Sequence, residues 1–176
     1  MRNVMVFAGI LCLLACVSPG VRADILLPGT HEMGGSAELV FPEDGSRLYL
    51  GPRFGTVFSP GLELEFEAGY ARTSNSFSNS RLEFAANFLY NFETTSQPYP
   101  FMLVGFGFAR NHSEWEEGNR AYESDDTNGL LNLGAGLRVP LTESSLVRVE
   151  LRYTREMASP DESITSIRAG FSFLLR

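Results

Sequence analysis

Two stretches of the sequence bring reactive residue types together. His112-Ser113-Glu114 holds the parts of a hydrolase set: a base, a nucleophile and a carboxylate that could orient the base. On a strand, however, adjacent residues face opposite ways, so His112 and Ser113 could not serve one substrate. A histidine beside a serine in a polar segment is more often simply solvated, and no catalytic residue is assigned. His31 falls near the opposite mouth and cannot join the set. The second stretch, residues 111–128, is acidic, with Glu114, Glu116, Glu117, Glu123, Asp125 and Asp126. Carboxylate oxygens suit calcium, but the spacing fits no standard calcium loop, and Arg110 and Arg120 dilute the charge. A solvated loop is the expectation, with no metal and no cofactor. Trp115 and Tyr122 give that loop aromatic material for a surface contact.

A third set of charges is spread along the chain at every second position. Glu63, Glu65 and Glu67 form one file, Arg148, Glu150 and Arg152 another, and Arg81 with Glu83 a shorter one. Arg53, Arg138 and Arg168 occupy equivalent places in other segments. A spacing of two puts each file on one face of a β-strand. Arginine forks suit carboxylates, so these files facing one interior would make a polar plug; an open ion path is the alternative. Three consecutive glutamates repel one another unless arginines interleave, and adjacency nominates Arg53 and Arg81.

Composition excludes several classes. The chain has 176 residues, 44% of them hydrophobic, with 14 Phe and 17 Gly, which is not a disordered composition. All 14 basic residues are Arg, set against 21 acidic ones for a net charge of -7, so nucleic acid is not an expected partner. Met1-Arg2-Asn3 followed by an apolar run over 4–17 and Val21-Arg22-Ala23 reads as a cleaved secretory signal peptide over 1–23. A rival cut before Cys16, in a lipoprotein-like Leu13-Leu14-Ala15-Cys16, would leave that cysteine lipidated. Cys12 and Cys16 both fall in the leader, so a chain cut after Ala23 has no disulfide.

After the leader, no run approaches the ~20 apolar residues of a spanning helix. Residues 24–29 form a periplasmic lead-in, and 30–176 read as eight alternating segments: 30–41, 47–58, 62–70, 80–92, 101–109, 129–139, 145–154 and 163–176. In the third, Leu62, Leu64, Phe66, Ala68 and Tyr70 oppose Glu63, Glu65, Glu67 and Gly69. The outward files are aromatic and aliphatic, and the inward files mix charge with glycine, the inverse of a soluble barrel. Pro52 predicts an irregularity in the second strand, and Tyr70, Tyr90, Tyr99 and Tyr153 an aromatic girdle. Connections after strands 3, 5 and 7 are longer and more polar than those after 2, 4 and 6. The fold expected is all-β: an eight-stranded antiparallel up-and-down transmembrane β-barrel with both termini periplasmic.

The pattern resembles the small eight-stranded outer-membrane barrels of Gram-negative bacteria, such as the transmembrane domain of outer membrane protein A and the opacity and attachment-invasion proteins. Most specific is Arg168-x-Gly170-x-x-Phe173-x-Leu175, similar to the family's C-terminal assembly signal, with Arg176 as an extra residue. The resemblance implies lipid and lipopolysaccharide neighbours, the barrel-insertion machinery as a partner and a structural or adhesive role at the cell surface. Some barrels of this size are lipid A hydrolases, and others conduct ions; both stand as alternatives.

Overall fold

A computed structural model describes residues 26–40, 47–74, 78–94, 97–117, 120–157 and 163–176. The leader and Cys16 lie outside them. Eight strands follow in chain order: β1 (His31–Val40), β2 (Arg47–Ser59), β3 (Leu62–Ser74), β4 (Ser78–Asn91), β5 (Tyr99–Glu117), β6 (Arg120–Thr142), β7 (Ser145–Glu156) and β8 (Ser163–Leu175). Each pairs antiparallel with its neighbours, and β8 returns to β1 to close the barrel. Among the described residues no helix is long and apolar enough to cross a membrane.

Alternation puts opposite chemistry on the two faces. Among the described residues, 22 buried side chains are polar or charged and only 12 are hydrophobic, while 26 large hydrophobics are exposed on the outside. Phe66, Phe106 and Phe173 each expose more than half their surface. This inversion is stable only where hydrocarbon, rather than water, covers the outer wall.

Several details differ from the expectations above. Residues 111–117 and 120–128 are not an irregular loop: β5 and β6 stay paired from Tyr99↔Arg138 up to Glu117↔Arg120. Beyond the bilayer both faces of a hairpin meet water, so the apolar/polar alternation fades while the backbone ladder continues. The same reasoning extends β7 to Glu156. Pro52 brings the expected local irregularity as a gap, not a slip: it stands opposite Gly35 on β1, while the β2–β3 pairing skips Gly51 and Pro52, and the register shift in β2 falls between Val57 and Ser59. Proline removes one ladder donor, which a closed sheet absorbs without shifting. Tyr99 points inward instead of joining the girdle and is 6% exposed. With Leu146 and Leu174 it forms an apolar stopper at the mouth where both described chain ends lie, against which Leu26 packs.

Candidate functional site: the charged bore and the outer hairpin

The bore is held by one connected set of ion pairs. In a closed eight-stranded barrel β3 and β7 lie four strands apart by either route, so their inward files face each other across the axis. The β3 glutamates sit at 5% exposure or less. Glu63 receives Arg138 at 2.8 Å, Glu65 receives Arg148 at 2.5 Å, and Glu67 receives Arg152 at 2.8 Å. Arg168 reaches Glu67 from β8 as well. The expectation that Arg53 and Arg81 would neutralise this file holds in part for Arg53 and needs correction for Arg81. Arg53 lies 3.2 Å from Glu32 and only 3.9 Å from Glu65, while Arg81 pairs with Glu83 and Glu156. The bore is narrow enough for an arginine to span it, so cross-axis pairs outcompete neighbours on the wall.

The pairs join end to end. Glu32 links Arg53 to Arg138, Glu65 links Arg53 to Arg148, and Glu150 links Arg148 to Arg152. Arg168 carries the chain on to Glu38 and Glu83, and Arg81 ends it at Glu156. Asparagines fill gaps: Asn91 donates to Glu63 at 3.1 Å and Asn87 to Glu65 at 3.3 Å. Arg148 meets both oxygens of Glu65, while Glu32 and the Nε atoms of Arg53, Arg138 and Arg168 are held by charge without a hydrogen bond; opposite charge at short range is what makes a dry interior tolerable for these groups.

Aromatic rings complete the packing. The Arg148 guanidinium lies 4.4 Å from the Phe101 ring centre and Arg168 lies 4.6 Å from that of Tyr49. Glycine makes the room: a Cβ on Gly69 would come within 1.8 Å of the Tyr49 ring, and one on Gly170 within 2.8 Å of the Arg53 guanidinium. The cavity beside Tyr49, Arg81 and Arg168 holds about 20 Å³, roughly one water. The one amid Arg53, Arg148 and Arg152 admits no water-sized occupant. Sequence reading missed Phe101 and Glu156 as members, although Glu150, Arg152, Thr154 and Glu156 continue one alternation.

Outside the bore, the hairpin of β5 and β6 rearranges the suspected hydrolase residues. His112 stands opposite Asp125, with Nδ1 3.0 Å from the carboxylate Oδ1, and Arg110 donates to the same carboxylate at 3.1 Å. The Asp125 carboxyl is held below its ordinary range, first by the His112 hydrogen bond and then by that from Arg110. Ser113 pairs with Ser124 and Asn79, whereas the serine in register with His112 on β4 is Ser80. Trp115 and Tyr122 are direct cross-strand partners in the backbone ladder. Among the described residues no three His, Cys, Asp or Glu side chains converge as for a metal ion.

At the closing seam, Glu38↔Arg168 and Met33↔Phe173 are in register, and Gly170 faces Ser36. Of the four residues of the C-terminal motif, Arg168 lies in the bore, while Phe173 and Leu175 face outward.

Solved structures with this architecture include the N-terminal β-barrel domain of Pseudomonas aeruginosa OprF, 17% identical over 84% of this chain and 98% of that one at a TM-score of 0.57. The attachment invasion locus protein Ail of Yersinia pestis, solved with the heparin analogue sucrose octasulfate, is 12% identical over 85% and 100% at 0.60. The outer membrane protein OprG of Pseudomonas aeruginosa is 14% identical over 87% and 100% at 0.57. These likenesses establish the fold. No curated protein matches the chain in sequence. The outer membrane protein beta-barrel domain, as a sequence family, matches residues 36–173. The chain belongs to that family, and its place is the outer membrane of a Gram-negative cell.

Proposed function

We propose that the protein is a non-enzymatic, non-conducting barrel that carries the β5–β6 hairpin to the cell surface as an interaction element. The sealed bore is the observation that carries this reading: a wall-to-wall chain of ion pairs leaves no room for a file of water. Residues 1–23 serve as the secretory leader, 24–29 as the lead-in, and both termini lie in the periplasm. Arg168, Gly170, Phe173 and Leu175 present the assembly signal to the insertion machinery. The hairpin extends well past the apolar belt and bears Glu114, Glu116, Glu117, Glu123, Asp125 and Asp126. Ail takes a sulfated ligand, but an acidic hairpin repels one, so the partner expected here is cationic, with Trp115 and Tyr122 as contacts. Binding of intact cells to a polycationic surface tests this. A Trp115→Ala/Tyr122→Ala variant should lose much of it while the barrel inserts normally; unchanged binding would contradict the reading.

A second reading rests on one observation, the row Ser80, His112, Asp125 across three adjacent strands, which has the residue order of a nucleophile, base and orienting acid. Release of fatty acid from outer-leaflet lipid that disappears on changing Ser80→Ala, and not Ser113→Ala, would favour it over the first.

A further inference from the structure

The membrane-facing wall is not smooth. A groove of about 550 Å³ runs across β2–β5, with Pro52, Ala68 and Ala86 between the larger Phe66, Phe84 and Phe108. Its small residues lower the wall while the phenylalanines stand half exposed to either side. Hydrocarbon surrounds this face, so the occupant is an acyl chain or a second apolar wall.

What stands at the groove's end decides between them. On β5 the outward file ends with Phe108 and continues as Arg110; on β3 it ends with Tyr70 and continues as Arg72. Leu82 and Ser80 mark the same change on β4 between them. Both arginines are exposed. Arg72 has no ion-pair partner among the described residues, and Arg110 shares Asp125 with His112. Two inter-strand spacings and a stagger of two residues, about 12 Å in all, separate them, a gap their long side chains can close over one anionic group. From Ala68 to Arg72 is about 13 Å along the strand, which at a tilt of ~40° lifts Arg72 about 10 Å toward the edge of the apolar band. A second barrel packed in the groove would have no use for cations at that height.

We infer that this face holds a phosphorylated, acylated lipid of the outer leaflet, with an acyl chain in the groove and a phosphate between Arg72 and Arg110. The inference rests on the surface orientation proposed above. Asp125 is then a built-in competitor for Arg110, which sets the affinity instead of leaving the site permanently filled.

The test uses the full chain in phosphatidylcholine nanodiscs containing a minority of lipid A, either phosphorylated or dephosphorylated, with retained lipid counted by native mass spectrometry. The wild type should retain the phosphorylated form preferentially. Arg72→Ala/Arg110→Ala should lower that retention by about tenfold or more, Ala68→Phe should lower it by obstructing the groove, and Asp125→Asn should raise it. All variants must keep heat-modifiable gel migration, which shows a closed barrel. Equal retention of the two lipids, an unchanged double variant, or a dimer of the chain in place of the lipid adduct would overturn the inference. Orientation is read separately: a cysteine introduced as Ser113→Cys should react with an impermeant maleimide on intact cells. Labelling without lipid preference would remove this inference and leave the surface orientation standing.

Discussion

Arg148 on β7 donates to Glu65 on β3 at 2.5 Å across the full width of the bore, although 83 residues separate them in sequence. The pair joins opposite walls, so it resists flattening of the barrel in a way that a pair between neighbouring strands cannot. Glu65→Ala should therefore cost about 3–5 kcal/mol, because it leaves buried Arg148 and Arg53 short of a counter-charge. Urea unfolding from lipid vesicles measures this, and a loss below about 1 kcal/mol, the scale of an exposed pair, would show that the bore is wet.

The outer wall responds differently. Phe66→Arg or Leu133→Arg should cost about 2–4 kcal/mol near the bilayer midplane. Asn132→Ala, which removes the hydrogen bond received from Thr154 inside the bore, should cost about 1 kcal/mol. Equal penalties in the same vesicle assay would mean that the two faces had been exchanged.

At the closing seam, deletion of 171–176 removes Phe173, the partner of Met33, and Leu174, part of the apolar stopper. Both barrel closure and the proposed assembly signal should then fail together, leaving a periplasmic, protease-sensitive chain. Phe173→Asp should do nearly the same, and Arg176→Ala should not. A heat-modifiable, protease-resistant band from the truncated chain would refute this.

The hairpin gives a pH dependence whose sign is fixed. Asp125 has a lowered folded pKa, so its contribution is present above the ordinary value of 3.8 and is lost only as pH falls through the lowered one. Its carboxyl carbon should titrate in NMR spectra with a midpoint below 3.8. Replacing His112 with Ala should move the midpoint back upward. A midpoint above 3.8 in the unmodified protein would mean that the His112 and Arg110 contacts do not form in solution.

Sequence periodicity carried the barrel because lipid and bore impose opposite chemistry on alternate residues: Phe66 and Glu67 could not exchange places. It failed where that opposition ends. Residues 111–117 and 120–128 are paired strands beyond the apolar belt, where no lipid-facing file marks the ladder. Glu156 was lost for the same reason, beside Arg155 in a segment with no apolar neighbour to set the phase. The pairing inside the bore was legible only as composition. Which arginine meets which glutamate depends on barrel diameter and stagger, and these brought Arg148 and not Arg81 to Glu65. Tyr99 and Leu174 look like girdle and lipid-facing residues by type, but the alternation that buries Phe101 and Ser172 puts both on the inward file, where they meet as a stopper.

The claim that the bore is sealed by its own charges is tested most directly by single-channel recording of the full chain in a planar bilayer. The account predicts a flat baseline at physiological voltage, unchanged by salt concentration. Steady ohmic conductance on the scale of a water-filled porin would contradict it.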